Sequence, residues 1–500
     1  MNKLNQLLRV PAVLLCCLIL PLTSCDNDFE ELNTDPQAAT SLDSKFLLNY
    51  AINRAGSSRY ESWRGNLIYT SQWAQQLSGA WTPDNYNTTN EDWLSAYWNE
   101  AYGTYMRNLQ TIINQEEEAT NVEAMAMIFK VLIMQRVTDM YGDIPYSEAF
   151  QGGDFPQPSY DTQEAIYASF VAELRQAIDQ LSAGNGPDVG NADPLYGGDI
   201  DSWKRFGNSM LLRVGLRMSE VNPSLAEQIV GEAISGGIMT QPAVMTFDAS
   251  TSANGGALNS GIGAVFNDFG VGGGGFAFSD EMMMRLQEAN DPREAVLAVQ
   301  YNSDGSVNTS VGPGDYMGKV NGADIASIYD FAMPNHDVMV AYDSPIIFYS
   351  VAEAEFSRAE AILRGWASGD AQEAYEAGVR AACKQLALYP RSTEITDDQI
   401  DELLDEDAVA WDEDNGMELI NTQKWIALLF DGFEAYSNFR RTGFPEITPG
   451  LTAGESPNAV PKRMRYPISE DLTNKENYEA AVSRLSGGDV ITAPVWWDVN

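Results

Sequence analysis

The sequence predicts a mainly α-helical fold in which pairs of helices form a scaffold that carries a loop-rich insert. Three observations lead to this prediction. Apolar residues recur at helical spacing over several long segments, two pairs of these segments are separated by short breaks, and residues 238–345 are instead rich in Gly, Asn and Ser. Helical periodicity is the primary sequence signal of an α-helix. We therefore expect residues 41–500 to form one helical domain with an irregular insert.

The clearest helical segment begins at Asn121. Its apolar residues cover most of the helix circumference, a pattern typical of a helix that is buried on nearly every side. Gly142 can end this helix in the left-handed conformation, and Pro145 prevents it from resuming. We therefore expect a central buried helix that ends at Gly142.

Helix pairs are predicted on both sides of the insert. Residues 209–219 and 224–235 flank a break at Asn222-Pro223, and residues 348–364 and 370–388 flank a break at 365–369. Asp370 is a good N-cap for the last of these helices. Many alanines in the second pair allow close contact between helices, as in tetratricopeptide (TPR)-like repeats. The pattern predicts TPR-like helix pairs.

The insert at 238–345 is expected to contain loops and short strands and to pack on the helical scaffold. Only residues 280–288 in it show clear helical spacing. After the second helix pair, the pattern predicts an acidic loop with a short helix at 396–418 and a single helix at 422–440. The tail from residue 461 to 500 is predicted to be irregular.

The N-terminus has the features of a lipoprotein signal peptide. Lys3 and Arg9 precede an apolar run at 10–22 that is too short to span a bilayer comfortably, and Ser24 precedes Cys25. A small residue before a cysteine is what a lipoprotein signal peptidase cleaves. We expect residues 1–24 to be removed, Cys25 to carry the lipid, and residues 25–40 to form an acidic tether. The alternative is an ordinary secretory signal with a chance cysteine.

Composition excludes several classes of function. The chain has 30 basic and 71 acidic residues and a net charge of −41, and such a surface repels nucleic acid and anionic membranes. His336 is the only histidine, which argues against a Ser-His-Asp triad, a Cys-His pair and a His-rich zinc site. After processing, only Cys25 and Cys383 remain, so no intrachain disulfide is expected.

Acidic clusters are the candidates for catalytic or metal chemistry. Asp139, Asp143 and Glu148 surround a helix end, but their spacing does not show the facing pair of carboxylates that a glycosidase needs. We therefore expect structural roles for them. The acidic run at 397–414 does not match the EF-hand pattern. No catalytic residue, metal site or cofactor is predicted, and a structural calcium ion has no motif to support it.

Aromatic residues are concentrated near the N-terminus of the mature chain. Five of the 11 tryptophans lie between residues 60 and 105, and most have helical spacing that predicts core positions. Trp81 and Tyr86 instead lie in a loop at 79–90 that is rich in Pro and Asn. Exposed aromatic rings stack on sugar rings, and the amides of Asn85 and Asn87 can bind hydroxyl groups. These four residues are the predicted ligand-binding site, unless the loop folds back and buries both rings.

A series of short motifs runs through the mature chain in a characteristic order. They are FEELNTDP at 29–36, DMYGDIPYSEA at 139–149, NDPR at 290–293, AEA at 359–361, GW at 365–366, YEAG at 375–378, RYP at 465–467 and WWD at 496–498. Together they resemble the SusD/RagB-like outer-membrane lipoproteins, in particular the subgroup with the Tyr-Gly-Asp-Ile-Pro-Tyr-Ser signature. No single motif is decisive, but the ordered set is specific.

The resemblance implies a right-handed scaffold of TPR-like helix pairs with an attached irregular region. It also implies a non-enzymatic nutrient-binding protein on the cell surface, anchored in the outer membrane by its lipid. Such a protein acts as the lid of a SusC-like, TonB-dependent transporter and binds oligosaccharides in many cases. The alternatives are a peptide-binding lid of the same transporter type, a surface glycoside hydrolase, and a TPR-like scaffold for protein contacts.

Overall fold

A computed structural model describes residues 42–59, 61–79, 84–115, 120–248, 258–272, 275–451 and 454–499. The chain divides into two units, residues 1–43 and 44–500. Cys25 and the predicted signal peptide and tether therefore lie outside the described residues. Within the described ranges, no helix combines the length and the apolar character needed to cross a membrane.

The second unit is built mainly from α-helices, which confirms the predicted fold class. The helices are α1 Ser44–Ser57, α2 Ser71–Trp73, α3 Glu91–Leu94, α4 Ala96–Glu100, α5 Met106–Gln115, α6 Asn121–Tyr141, α7 Gln163–Gln180, α8 Ile200–Arg217, α9 Pro223–Gly236, α10 Gly261–Phe269, α11 Asp280–Glu288, α12 Glu294–Leu297, α13 Val351–Leu363, α14 Ala371–Lys384, α15 Asp397–Asp405, α16 Gly416–Ala427, α17 Gly432–Thr442, α18 Ile468–Thr473 and α19 Lys475–Val482. Two segments, Glu61–Thr70 and Ala101–Tyr105, are π-helices.

Within the described ranges, eight short strands pair two by two in antiparallel fashion. They are β1 Leu77–Gly79, β2 Ile144–Pro145, β3 Tyr160–Asp161, β4 Ala243–Met245, β5 Phe276–Phe278, β6 Ala298–Val299, β7 Met333–Pro334 and β8 Ile346–Tyr349. The pairs are β1 with β5, β2 with β3, β4 with β8, and β6 with β7. The strands thus join loops to the scaffold and do not form a large sheet.

Helix α6 is the central helix of the scaffold, as its apolar pattern predicts. Every residue from Asn121 to Tyr141 except Glu123 is buried. Thr120 and Glu123 form a capping box at the start of the helix, and Gly142 ends it with φ of +86°. Helices α5, α7, α8 and α17 all pack against α6. The buried helix therefore organises the elements around it.

Both predicted helix pairs are present, and the helices in each pair pack against each other. They are α8 with α9 and α13 with α14. Because a short turn joins the members of each pair, they run antiparallel. Asn222 caps α9, and the Asp370 carboxylate accepts a hydrogen bond from the backbone N–H of Glu373 at 3.1 Å. The predicted cap at Asp370 is confirmed.

The single helix predicted at 422–440 is wrong, because the chain forms two helices there. Helix α16 ends at Ala427, and α17 begins at Gly432. Asn66, which lies in the π-helix Glu61–Thr70, stabilises the break between the two helices. Its side-chain amide donates to the Phe430 carbonyl at 2.6 Å and accepts from the Gly432 N–H at 3.0 Å. A Cβ at Gly432 would lie 2.4 Å from Ser71 Oγ, so only glycine fits.

The insert is closed at its base by β4 and β8, which lie at its two ends. Its predicted helix is confirmed as α11, and α10 and α12 add helical structure that the weak periodicity did not indicate. Strand β5 of the insert pairs with β1 of the N-terminal region, with Ser78 opposite Ala277. The insert therefore packs on the helical domain, as predicted. The C-terminal tail also differs from the irregular prediction, because it contains α18 and α19.

A network of buried ion pairs, here called the core ion network, crosses the centre of the domain. Arg213 binds Glu353 through two bonds of 2.7 and 2.6 Å, and Arg217 Nε lies 3.2 Å from Asp139 Oδ2. Glu434 Oε2 accepts a hydrogen bond from Arg217 and lies 3.6 Å from Arg213 Nε. These five side chains are at most 6% exposed.

Surrounding cations favour the charged form of Glu434, one of the acidic members of the network. Burial alone would raise the pKa of Glu434, but Arg217, Arg213 and Lys424 outweigh it and hold this pKa below its usual value. Removing one member of such a pair leaves an uncompensated buried charge, which costs far more than the loss of a surface pair. The network therefore links α6, α8, α13 and α17 into one unit.

We expect Glu434→Gln to lower the free energy of unfolding by about 3–5 kcal/mol, because Arg217 keeps only Asp139 and loses its second carboxylate partner inside the core. The matched control is Glu232→Gln, which removes the partner of Arg175 on the surface, where both side chains are 44% exposed. That change should cost no more than about 1 kcal/mol. Urea unfolding of both variants measures the difference, and equal costs would contradict the role given to the network.

Candidate ligand-binding site

The structure describes three of the four predicted ligand residues, since Trp81 lies outside the described residues. The expected exposure of Tyr86 is wrong, because its side chain is fully buried. Its hydroxyl oxygen accepts a hydrogen bond from the Gly450 N–H at 2.8 Å, and burial raises the pKa of this phenol. This ring therefore offers no face to a ligand.

The burial of Tyr86 follows from contacts that lie far away in sequence. Asp84, two residues before it, binds Lys319 of the insert at 2.7 Å and accepts from Ser78 Oγ at 3.1 Å. Two residues after it, the Thr88 N–H donates to Glu455 at 2.7 Å. The residues on both sides of Tyr86 are therefore bonded to other segments of the chain. Tyr86 lies between them with a φ of +59°.

Asn85 and Asn87 remain at the surface of the same loop. Asn85 is half-buried, and Asn87 is exposed and accepts a hydrogen bond from the Thr89 N–H at 2.9 Å. Asn90 then caps α3 by accepting from the Trp93 N–H at 3.3 Å. The loop thus leads from the two predicted asparagines directly to Trp93.

Trp93 belongs to a group of three aromatic side chains, here called the aromatic cluster. The Trp63 ring lies 6.1 Å from Trp93 and 5.3 Å from Phe269, measured between ring centroids. Trp63 and Trp93 are half-buried, and Phe269 is 40% exposed. Trp63 is carried by the first π-helix, which packs against both α3 and α10. Three elements therefore bring the aromatic rings together at the surface.

Cationic and polar groups surround the aromatic cluster. The Arg59 guanidinium lies 5.4 Å from the Trp63 ring and 5.2 Å from the Phe269 ring, and Arg64 lies 5.4 Å from the Trp63 ring. Arg59 also pairs with Asp268 at 2.9 Å. Among the described residues, the indole N–H of Trp63 and Nε of Arg59 have no hydrogen-bond acceptor. Both of these donor atoms are buried, so the cluster offers partly exposed rings with guanidinium groups beside them.

Such a surface has the chemistry to bind a sugar. Half-exposed aromatic rings stack on the apolar faces of sugars, and fixed donors bind hydroxyl groups. The described residues contain no group of three or more His, Cys, Asp or Glu side chains placed to hold a metal ion. Asp268, which precedes Phe269 in the sequence, pairs with Arg59 and accepts a hydrogen bond from the Tyr342 hydroxyl at 3.2 Å.

His336 and Cys383, two residue types that often act in catalysis, are buried. Burial lowers the pKa of His336 to about 4, and the ring packs at 5.5 Å from Tyr301. Burial also raises the pKa of the Cys383 thiol to about 11. The acidic residues around α6 have structural roles, since Asp139 belongs to the core ion network and Asp143 binds the Gln163 N–H at 2.8 Å.

An internal cavity of about 60 Å³ lies behind the first π-helix, lined by Glu61, Arg136 and Asp431 among others. This space holds about four water molecules. Sites for sugars and other small ligands are several times larger. The aromatic cluster is therefore the better candidate for ligand binding.

A family model described as "Starch-binding associating with outer membrane" (SusD-like_2) matches residues 36–467. The chain belongs to the SusD-like family. This confirms the family that the ordered motifs resemble, and with it an outer-membrane association and a place among glycan-binding nutrient-uptake proteins. No curated protein matches the chain in a separate sequence comparison.

Solved structures of SusD-like proteins have the same fold. A chitin-binding protein is 30% identical, with a TM-score of 0.81 over 92% of this chain and 100% of that one. A chitin-binding SusD homologue from Flavobacterium johnsoniae is 26% identical, with a TM-score of 0.76 over 91% and 98% of the two chains. A SusD-like protein from Bacteroides thetaiotaomicron is 24% identical, with a TM-score of 0.77 over 92% and 99%, which supports the fold alone.

We expect Tyr86→Ala to lower the free energy of unfolding by about 3–5 kcal/mol, because it leaves a cavity and removes the bond to Gly450. Asn87→Ala, one residue along the same loop, should change it by less than about 1 kcal/mol. Thermal and urea unfolding of both variants distinguish a core ring from a surface ring. A Tyr86→Ala protein as stable as the Asn87→Ala protein would contradict the buried position.

Proposed function

We propose that this SusD-like protein binds nutrient oligosaccharides at the cell surface and passes them to a SusC-like, TonB-dependent transporter. The observation that carries the proposal is the aromatic cluster, in which Trp63, Trp93 and Phe269 form a partly exposed platform. The family description and the acidic net charge of −41 support a neutral glycan over nucleic acid. The transporter partner follows from the resemblance to SusD/RagB-like lipoproteins.

The proposed site extends from the aromatic cluster along the loop toward Asn87. Asn85 and Asn87 supply amides for hydroxyl groups, and Trp81 remains a proposed stacking residue of this loop. Tyr86 takes no part, because it is buried. The site holds the ligand by stacking and hydrogen bonds, and the protein catalyses no step on it. The absence of new reducing ends after incubation with glycans tests this last point.

Chitin oligosaccharides are the first ligands to examine. Two structures named as chitin-binding are 30% and 26% identical to this chain over nearly its whole length. Fold similarity alone does not determine the ligand, so the choice has to be tested with malto-oligosaccharides and peptides as competitors. An array of glycans and peptides covers all three classes in one experiment.

We expect Trp63→Ala and Phe269→Ala each to weaken the binding of chitohexaose by about tenfold, or about 1.4 kcal/mol, since each removes a stacking surface. Isothermal titration calorimetry measures the affinity. The control is Trp411→Phe, because Trp411 is also half-buried but packs on Tyr375, 5.3 Å away, in the helical scaffold. Normal affinity in both cluster variants would place the ligand elsewhere, and binding of peptides but of no glycan would refute the proposal.

We also propose that lipid on Cys25 anchors the protein to the outer membrane with its domain facing outward. Several acyl chains on one cysteine give stable anchoring. In cells fed labelled palmitate, Cys25→Ser should abolish labelling of the protein, and Cys383→Ser should leave it unchanged because Cys383 is buried. Labelling that persists in Cys25→Ser would show that the processing site is wrong.

A further inference from the structure

A second cleft lies near the C-terminus, around Trp496. It consists of two adjoining depressions of about 750 and 260 Å³ that share Trp496 and Glu164 as lining residues. The larger one has the volume of a small-molecule site. None of its lining residues belongs to the aromatic cluster or to the loop that carries Asn85 and Asn87. We call the two depressions together the Trp496 cleft.

Trp496 is held in place by its neighbours. Its backbone N–H donates to Gln163 Oε1 at 2.9 Å, and its ring lies 5.8 Å from that of Tyr167. The next residue, Trp497, is fully buried, and its indole N–H donates to Asp139 of the core ion network at 2.8 Å. Trp496 itself is half-buried, so a fixed ring borders the open space of the cleft.

Both cations of the larger depression are paired with carboxylates of the protein, and Glu164 adds a third carboxylate to its lining. Arg484 pairs with Asp143, and Lys462 lies 2.9 Å from Asp498 Oδ1. A free anion would have to compete with both carboxylates for these cations. The cleft therefore does not favour an anionic ligand.

One acceptor in the cleft is left without a donor. Asp498 is 3% exposed and lines the larger depression, and its Oδ2 accepts no hydrogen bond from any residue that the structure describes. A buried carboxylate oxygen without a donor is costly, and a hydroxyl group of a ligand is a suitable donor. The smaller depression adds an apolar wall of Met218, Leu225 and Ile229.

We propose that the Trp496 cleft is a second carbohydrate-binding site, in which a sugar ring stacks on Trp496 and its hydroxyl groups bind the polar side of the cleft. A fixed tryptophan, cations that are already paired and an acceptor without a donor suit a neutral ligand that carries both apolar faces and hydroxyl groups. The inference rests on the proposed function, because it assigns the same class of ligand to a separate site.

The test uses the full domain labelled with 5-fluorotryptophan and observed by ¹⁹F NMR. Trp496→Phe, Trp63→Ala and Trp411→Phe assign three of the 11 tryptophan signals. The probes are N,N′-diacetylchitobiose and maltotriose, each titrated into the unsubstituted protein. We expect the Trp496 signal to shift saturably with at least one probe, and to do so equally in the Trp63→Ala protein. The Trp411 signal is the internal control and should not move.

The outcomes separate the two proposals. A Trp63 signal that shifts while the Trp496 signal stays fixed would overturn the second site and leave the proposed function standing. A Trp496 shift that disappears in Trp63→Ala would overturn it as well, because the effect would be transmitted from the aromatic cluster. If neither signal moves with either sugar, and the glycan array is also negative, the proposed function itself fails.

Discussion

The core ion network is the constraint on which the rest of the structure depends. Four helices contribute charged side chains to it, and each charge is buried beside a partner of opposite sign. A helix cannot slide or rotate there without separating a buried pair, which costs more than most packing defects. Asp139 extends the network to the C-terminal tail through Trp497. The network therefore fixes both the helical scaffold and the segment that carries Trp496.

The scaffold in turn positions the aromatic cluster. The first π-helix carries Trp63 at the surface and Asn66 in the interior, where Asn66 holds the break between α16 and α17. π-helical turns are rare and are often found at functional sites. The insert supplies Phe269, and the pairing of β1 with β5 fastens the insert beside the N-terminal region. The surface proposed to bind glycans is thus assembled from segments that only the fold brings together.

Much of the fold could be predicted from the sequence, because local signals determine it. The spacing of apolar residues indicated α6 and both helix pairs, and Asp370 indicated a helix start. The break before Gly432 could not be predicted, since its cause is Asn66, which lies hundreds of residues earlier. Tyr86 was placed wrongly for the same reason, because its partner Gly450 is equally remote. The aromatic cluster was missed because helical spacing suggested a core position for Trp93, and nothing local connects Trp63 with Phe269.

We propose that the aromatic cluster is where this SusD-like protein holds a glycan. A crystal structure of the protein with bound chito-oligosaccharide tests it most directly. We expect electron density for a sugar ring stacked on Trp63, Trp93 or Phe269, with hydroxyl groups near the loop that carries Asn87. Sugar density confined to surfaces away from these three rings would contradict it.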